Sequence, residues 1–353
     1  MAQLRAQDKM IAVIGASGHT GRLVVDELRR RGQCAILVGR DARKLAGRDG
    51  DIVRLVRMDD AASLDAALSG AAAVINCAGP FFDTAFPVID AALRAGIPYL
   101  DVTAEQATVQ AIIATRHEAA ERAGIVLLPA AAFYGGLADL LASAVADESE
   151  TVDEIAVAVA LDSWHPTEGT RITGERNTAR RLVQRNGGLE PLADPAPQGY
   201  WTFPAPFGRQ EIIMLPFSET ITLARHFGAE TILSWLNLTP LRDIGDPSTP
   251  PPIPIDDKGR SSQQFLMDVI VRTGTRHRRA TASGRDIYAV SAPIIVEAAQ
   301  RLLGDGAADG AGVRSLGEIF DARDFLAALG PDAISVSYGD GAQPLLEMAT
   351  DAA

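Results

Sequence analysis

Short apolar runs alternate with amphipathic segments over the first 130 residues of this 353-residue chain. The apolar runs with strand-like length and composition are residues 10–14, 35–39, 51–58, 72–77, 99–102 and 125–129. The segments with helical periodicity between them are residues 20–31, 61–68, 88–96 and 105–123. Regular alternation of strands and helices predicts a Rossmann-type doubly wound parallel sheet with helices on both faces.

The pattern changes in the second half of the chain. Residues 156–161 and 263–272 have strand patterns, and residues 278–282 and 286–290 flank a predicted hairpin turn at 283–285. We therefore expect a second α+β domain built on a mostly antiparallel sheet. A helix is expected around residues 175–186.

Two further segments of the second half have clear patterns. The proline-rich stretch 239–254 favours neither a strand ladder nor a helix, which predicts a surface loop or an arm between subunits. Residues 293–303 begin with a proline and repeat apolar side chains at helical spacing, so they predict an amphipathic helix.

The first strand runs into a turn whose glycines, Gly15, Gly18 and Gly21, are spaced by three. Such a turn lets a bulky anion approach the backbone, and the helix that follows directs its N–H groups at that anion. Strand, turn, helix and second strand within about thirty residues are typical of a dinucleotide site, although a glycine turn can also simply join two elements. The predicted cofactor contacts here are Gly15, Ser17, Gly18, His19, Thr20 and Gly21.

The end of the second strand selects the cofactor. An acidic residue there would bind a free ribose 2′-hydroxyl, whereas this chain has Arg40, followed by Lys44. A guanidinium pairs strongly with a phosphate, so we predict NADP(H). Asp41 favours NAD(H) instead, unless it caps a helix. The alternative to a phosphate site is that Arg40 and Lys44 form a solvated basic run.

A second cofactor loop is expected after the strand at 72–77, because ligands of doubly wound sheets bind at the carboxyl ends of strands. Its predicted contacts are Cys77, Ala78, Gly79 and Pro80, with a plain turn as the alternative. Thr103, after the next strand, is expected beside the same part of the cofactor. Phe81 and Phe82 are expected to wall the nicotinamide side of the cleft.

Composition limits the partners. A net charge of −12 and a pI near 4.9 argue against nucleic acid or an anionic membrane. The two cysteines, Cys34 and Cys77, stand at the ends of predicted buried strands, which indicates reduced core thiols and a cytoplasmic protein. The polar residues 1–9 show no secretory signal, and the apolar runs are too short to span a bilayer.

Four stretches together resemble the NADP-binding domain of the saccharopine dehydrogenase-like family, which includes trans-acting enoyl reductases. They are the glycine turn, the strand end at Arg40, residues 76–81 and residues 99–105. The resemblance covers about residues 9–140 and departs from the family at two positions. Ala104 replaces a usual glycine, and Tyr134 stands where many members have an acidic residue.

The resemblance and the patterns together imply a domain organisation. Residues 1–130 form the dinucleotide-binding domain, joined by a returning helix at 292–304 as in the family. Residues 131–291 form the substrate and dimerisation domain, and residues 305–353 pack back on the two domains. The expected enzyme is an NADP-dependent oxidoreductase with a small-molecule substrate bound between the domains, and the expected assembly is a homodimer joined through the second domain.

Candidate catalytic groups lie in loops at predicted strand ends, where function concentrates. His165 is the first candidate for a proton donor, with a helix-capping role for its loop as the alternative; Arg171 and Arg176 are available for a substrate carboxylate. Tyr134 is the reserve donor, since a phenol near the nicotinamide can protonate the product. Glu105 is expected to contact the substrate.

Other chemistries have weaker support. His226 is the next histidine candidate, no histidine–cysteine spacing predicts a metal, and no Gly-x-Ser-x-Gly elbow occurs. No tyrosine has a lysine four residues later, which excludes the catalytic pair of short-chain reductases.

Three function classes remain open. The first is hydride transfer to or from a C–N bond, as the resemblance implies. The second is an enoyl reductase that reduces a C=C bond, with a docking patch formed by Arg272, Arg276, Arg278 and Arg279. The third is a non-catalytic NADPH sensor, which the polar segment 162–176 argues against because a sensor does not need it.

Overall fold

A computed structural model of the protein describes residues 9–45, 47, 50–147, 149–304, 310–340 and 346–348. The chain divides into two units. The first unit contains residues up to 133 together with 288–320, and the second contains 134–287 together with residues from 321 onward. The helix at the end of the predicted hairpin region, residues 291–303, therefore belongs to the first unit.

A seven-stranded parallel sheet forms the centre of the first unit. Its strands are β1 (Ile11–Ile14), β2 (Ala35–Gly39), β3 (Ile52–Leu55), β4 (Ala73–Asn76), β5 (Tyr99–Asp101), β6 (Val126–Leu128) and β15 (Gly312–Val313). They lie in the order β15-β6-β5-β4-β1-β2-β3, and all pairings are parallel. The inner strands are buried because helices cover both faces, as their unbroken apolar sequences require. The predicted doubly wound sheet is confirmed.

Helices cover this sheet. They are α1 (His19–Arg30), α2 (Ala61–Leu68), α3 (Phe81–Ala95), α4 (Gln106–Ala123), α9 (Ser291–Leu303) and the short α10 (Leu316–Ile319). Helix α9 packs along α1, where the Arg31 guanidinium donates to the Glu297 carboxylate at 2.5 Å and to the Gln300 side-chain oxygen at 2.9 Å. Among the described residues no helix is both long and apolar enough to cross a membrane.

A large mixed sheet forms the second unit. Its strands are β7 (Glu154–Leu161), β8 (Leu182–Arg185), β9 (Gly188–Pro191), β10 (Gln198–Thr202), β11 (Arg209–Met214), β12 (Thr231–Asn237), β13 (Gln264–Thr273), β14 (Arg276–Arg285), β16 (Ile334–Asp340) and β17 (Leu346–Met348). The main order is β16-β14-β13-β7-β12-β11-β10-β17, with β8 pairing β12 and β9. Strands β7 and β12 are parallel and the other pairings are antiparallel, so the predicted sheet type is confirmed.

The helices of the second unit are α5 (Ala138–Val145), α6 (Glu168–Arg176), α7 (Ser218–Phe227), α8 (Thr239–Gly245) and α11 (Ala322–Leu329). A π-helical turn, Phe133–Leu137, leads into α5. Helix α6 begins where the Thr167 hydroxyl accepts from the N–H of Thr170, and Arg176 is its last residue. The helix predicted around 175–186 is therefore wrong, because residues 182–185 pair as a strand instead. The proline-rich stretch also begins with a short helix, α8, which its composition did not predict.

The hairpin was predicted at the wrong glycine. Strands β13 and β14 turn at Gly274, whose φ is +58°, whereas Gly284 lies inside the ladder opposite Phe265. A Cβ at Gly284 would lie 2.8 Å from the Phe265 ring, so this glycine serves close packing between strands. Cys34 also differs from expectation, since it is exposed just before β2, while Cys77 is half-buried.

Candidate functional site

The glycine turn fits closely against the end of β4. Gly15 has a φ of +76° and its N–H donates to the Val38 carbonyl at 2.9 Å. A Cβ at Gly21 would lie 2.1 Å from the Gly15 carbonyl oxygen, and a Cβ at Gly15 would lie 3.0 Å from the Ala78 nitrogen. The two predicted cofactor loops are therefore in contact, and only glycine fits at these positions.

Helix α1 begins in this turn, at His19, without a capping side chain. Gly18 is the N-cap, no side chain caps it, and the first turn carries no acidic residue. The helix N-terminus therefore keeps its positive end for an anion, which is the arrangement that binds a pyrophosphate. The His19 ring meets the edge of Tyr288, with 5.5 Å between ring centroids and an interplanar angle of 81°. Tyr288 was not foreseen, because it is distant in the sequence.

The residues after β2 favour a cofactor with a phosphate on the 2′-position of its ribose. The Asp41 carboxylate accepts from the Arg43 backbone N–H at 3.0 Å and from the Arg43 guanidinium at 3.1 and 3.0 Å. These hydrogen bonds hold the pKa of Asp41 below its usual value, and they offset its charge. Arg40 is exposed and makes no hydrogen bond or ion pair within the described part of the chain, and Lys44 is exposed beside it. Asp41 thus caps the short helical turn Ala42–Lys44, and this role leaves Arg40 available for a phosphate.

The loop after β4 is fixed by the buried Asn76. Its side-chain oxygen accepts from the Ala78 N–H at 3.0 Å, and its amide donates to the Thr84 hydroxyl at 3.2 Å. The Thr84 hydroxyl in turn donates to the Ala78 carbonyl at 2.5 Å, and the Gly79–Pro80 bond is cis. Burial raises the pKa of the Cys77 thiol, so Cys77 stays protonated. It is therefore suited to packing against a cofactor and not to nucleophilic attack.

Asp101 organises the carboxyl ends of β5 and β6, a role that sequence reasoning did not assign to it. It is fully buried and accepts from the Tyr99 hydroxyl at 2.8 Å, the Thr103 N–H at 2.9 Å and the Ala130 N–H at 2.8 Å. Burial outweighs these hydrogen bonds and raises the pKa of Asp101 to about 6. The hydrogen bond to Asp101 holds the Thr103 backbone just after β5. Because β5 pairs with β4, Thr103 follows the strand that neighbours the one before Ala78 and Pro80.

Glu105, predicted to contact substrate, caps a helix. One carboxylate oxygen accepts from the Phe81 N–H at 2.8 Å, and the other accepts from the Phe82 N–H at 3.0 Å and the Thr108 hydroxyl at 2.7 Å. The carboxylate satisfies the first N–H groups of α3, which explains why this helix begins at Phe81 and is longer than its sequence pattern predicts. Both oxygens are committed to the fold.

In the second unit, His165 and Arg171 contact the proline-rich segment. His165 Nδ1 lies 3.2 Å from the Pro250 carbonyl oxygen, and the Arg171 guanidinium donates to the carbonyls of Asp246 and Thr249 at 3.2 and 2.8 Å. Because a carbonyl only accepts, Nδ1 carries the proton of neutral His165 and Nε2 is then an acceptor. Arg176 is exposed at the end of α6.

Tyr134 lies in a different cluster. Its ring stacks on Phe217 with 4.2 Å between centroids, and the Arg181 guanidinium lies 4.5 Å from the same ring. The Trp164 ring also lies near Phe217, with 6.3 Å between the ring centroids. Arg181 and Phe217 could not be found from sequence patterns, because they lie 47 and 83 residues beyond Tyr134 and come together only in the folded unit.

A histidine–carboxylate pair also occurs in the second unit. His226 Nδ1 lies 2.7 Å from Asp139 Oδ1, and the Asp139 carboxylate is fully buried. The carboxylate accepts a hydrogen bond from Nδ1–H and so fixes the orientation of the ring. His226, the second histidine candidate, is thus held by a buried carboxylate of α5.

The basic cluster proposed as a docking patch is neutralised. Arg272 pairs with Asp153 and Glu154, and Arg279 pairs with Asp268. Arg276 and Arg278 both pair with Glu150. These ion pairs leave little uncompensated charge for an acidic carrier, so they do not favour the enoyl-reductase hypothesis.

Comparisons with known proteins concern the family of the nucleotide-binding region and the fold. Residues 11–128 match the family model of the saccharopine dehydrogenase NADP binding domain. Saccharopine dehydrogenase-like oxidoreductases of Rattus norvegicus and Mus musculus are each 26% identical over 152 residues, a region that spans 37% of this chain and 35% of those proteins. The resemblance to the family is confirmed for the nucleotide-binding region.

The fold extends the likeness beyond that region. Apo saccharopine dehydrogenase (L-Glu forming) of Saccharomyces cerevisiae superimposes with a TM-score of 0.63 over 95% of this chain and 100% of its own. The sequence identity is 14%, so this likeness concerns the fold.

Proposed function

Because residues 11–128 carry the NADP-binding domain of the saccharopine dehydrogenase-like family, we propose that the protein is an NADP(H)-dependent oxidoreductase. The reaction we propose is hydride transfer to or from a C–N bond of a small substrate. The observation that carries the cofactor assignment is that Arg43 holds Asp41 while Arg40 remains exposed. An acidic residue that already serves as a helix cap and pairs with an arginine competes little for a ribose hydroxyl.

Different residues of the first unit would bind different parts of the cofactor. The glycine turn and the N-terminus of α1 bind the pyrophosphate, and Arg40 with Lys44 binds the 2′-phosphate. Ala78, Pro80 and Thr103 would border the nicotinamide, because they follow β4 and β5 at the carboxyl edge of the sheet, where ligands of such sheets bind. Hydrogen bonds of Asn76 and Asp101 hold the backbones of Ala78 and Thr103. When bound, NADP(H) supplies or accepts the hydride.

A proton must also move when a C–N bond is reduced, and two residues of the second unit suit this role. Tyr134 is our first choice, because its phenol belongs to a cluster with a guanidinium, and a cation favours release of a proton. His165 is the second choice, since its Nδ1 proton is already donated to Pro250 and only its Nε2 remains for exchange.

Titration of NADPH and NADH into the full chain tests the cofactor assignment. Arg40→Gln should weaken NADPH binding by about 10-fold or more, the effect of losing one charge-assisted hydrogen bond, and should leave NADH binding unchanged. Arg122→Gln is the control, because Arg122 is exposed and its one ion-pair partner in the described part of the chain is Glu118, one turn away on α4. Equal affinity of the parent protein for both cofactors would contradict the assignment.

We also propose a cytoplasmic homodimer joined through the second unit. The support is the exposed apolar surface at the end of the proline-rich segment, where Ile253 and the nearby Ile255 are 63% and 56% exposed. Sedimentation at micromolar concentration should give twice the chain mass, and a monomeric mass would remove this part of the proposal.

A further inference from the structure

A chain of buried polar side chains joins the two loops that follow β4 and β5. The Asn76 amide donates to the Thr84 hydroxyl at 3.2 Å and to the Tyr99 hydroxyl at 3.4 Å. The Tyr99 hydroxyl donates to the Asp101 carboxylate at 2.8 Å, and Asp101 also accepts from the Thr103 N–H at 2.9 Å. Asn76, Tyr99 and Asp101 are all fully buried, so the chain ends on a carboxyl group that water does not reach.

This carboxyl group lies at the edge of the sheet where the cofactor is expected. Asp101 is the last residue of β5 and pairs in register with Asn76, the last residue of β4. Within the described part of the chain its donors are a hydroxyl and two backbone N–H groups, and no arginine or lysine pairs with it. When Asp101 is ionised, its negative charge is therefore not cancelled by a neighbouring cation.

Three titratable groups interact with Asp101, namely Tyr99, Cys77 and Glu105. Burial and the charge of Asp101 raise the pKa values of the Tyr99 phenol and the Cys77 thiol, so both groups stay neutral near pH 7. Burial, and to a lesser extent the charge of Glu105, raise the pKa of Asp101 to about 6 despite its hydrogen bonds. Asp101 is thus the member of this cluster that changes its charge close to neutral pH.

The two redox forms of the expected cofactor differ in charge at one end only. The nicotinamide ring is positively charged in NADP⁺ and neutral in NADPH, whereas the phosphate groups are the same in both forms. A carboxylate that is buried beside the ring site attracts a positive ring more strongly than an exposed one does, because little water screens the two charges. The ionisation of such a carboxylate therefore acts differently on the two forms.

We propose that the charge of Asp101 sets the preference of this site between the two redox forms, so that the ionised carboxylate favours NADP⁺ over NADPH. The inference rests on the proposed function for the identity of the cofactor and for the place of its nicotinamide beside Ala78 and Thr103. Binding and protonation are reciprocally linked, so binding of NADP⁺ releases a proton from Asp101 and binding of NADPH does not.

Calorimetric titration of NADP⁺ and NADPH into the full chain, across about pH 5.5–7.5, tests this inference without any substrate. The preference for NADP⁺ should rise with pH by about 3-fold or more, since unlike unit charges about 12 Å apart at an effective dielectric constant of about 20 change affinity by about 10-fold in total. The 2′-phosphate also titrates near pH ~6, but it is common to both forms and cancels in their ratio.

The outcomes separate this inference from the cofactor assignment. Repeating the titration in two buffers with different ionisation enthalpies should show proton release near pH ~6 that is larger for NADP⁺ than for NADPH. Parallel pH profiles for the two forms, with both of them bound, would overturn the role of Asp101 and leave the cofactor assignment intact. Binding of neither form would contradict the inference and the proposed function together.

Variants of the carboxylate localise the effect. Asp101→Asn keeps an oxygen that can accept hydrogen bonds but does not titrate, so the ratio of the two affinities should no longer change with pH. Asp65→Asn is the matched control, because Asp65 is an exposed carboxylate of α2 that pairs with Arg94 at 2.7 Å. A ratio that still rose with pH in Asp101→Asn would overturn the assignment. The comparison of NADP⁺ with NADPH in the parent protein stands even if a variant fails to fold.

Discussion

The carboxylate of Asp101 accepts a hydrogen bond from the backbone N–H of Ala130 at 2.8 Å, and this contact ties the end of β5 to the segment after β6. Ala130 has a φ of +56°, a left-handed conformation that alanine adopts at a cost in free energy. The Ala131 N–H also donates to the Asp101 carbonyl at 2.8 Å. Asp101 therefore fixes the backbone where the chain leaves the nucleotide-binding sheet, only a few residues before Tyr134.

This buried carboxyl should make stability depend on pH. Its pKa is about 6 in the folded state and about 4 in an unfolded chain, so the folded state binds more protons between these values. The free energy of unfolding should therefore fall as pH rises from about 4 to about 6, by about 2–3 kcal/mol. Chemical denaturation across this range measures the effect.

Asp101→Asn supplies the comparison for that measurement. The amide does not titrate, and its oxygen can still accept from Ala130, so the variant should fold and the pH-dependent contribution of this site should vanish. An unchanged dependence in the variant would assign the pH effect to other groups. A directly measured pKa below about 4 for Asp101 would contradict the dominance of burial.

The glycine turn allows a graded test by substitution. Gly21→Ala should abolish NADPH binding and lower stability by about 1–3 kcal/mol, because the new Cβ would lie 2.1 Å from the Gly15 carbonyl oxygen and backbone must shift. Gly18→Ala should be milder, since its nearest atom would be 3.2 Å away. Gly174→Ala, in α6 with no atom within 4 Å of the added Cβ, is the control. Equal cofactor affinity in all three variants would place the site elsewhere.

The proton donor can be identified by two conservative variants. Tyr134→Phe keeps the ring that stacks on Phe217 and removes the hydroxyl, so kcat for reduction should fall by about 100-fold or more if Tyr134 is the donor. His165→Asn should lower kcat by less than about 10-fold, because the contact with Pro250 is structural. The opposite order of effects would make His165 the donor.

Local pattern was sufficient for the nucleotide-binding half of the fold. Its strands are continuous apolar runs, and its glycines are required by close backbone contacts within one loop. Both features can therefore be recognised from neighbouring residues in the sequence. The far strand β15 was not foreseen, because two residues, Gly312 and Val313, show no periodicity. In the second half, Gly284 misled the prediction because a glycine in a turn and a glycine under a neighbouring ring look identical in sequence.

The cluster of Tyr134, Phe217 and Arg181 could not be predicted in the same way. Arg181, Phe217 and Tyr134 come from three separate segments, and only the folded sheet brings them together. Conversely, the polar segment with His165 and Arg171 suggested chemistry, yet both side chains contact carbonyls of the proline-rich segment. Polar residues in a loop indicate a site or a structural hydrogen bond equally well until their partners are known.

Isotope transfer tests most directly whether hydride moves between NADP(H) and a C–N bond. The protein is incubated with NADPH deuterated at C4 and with 1-pyrroline-2-carboxylate, a cyclic imine that carries a carboxylate. Cyclopentene-1-carboxylate, with C=C in place of C=N, is the matched control. Mass spectrometry should show one deuterium in the reduced imine and none in the control compound. Deuterium in the control alone, or in neither compound while NADPH binds, would contradict the proposed reaction.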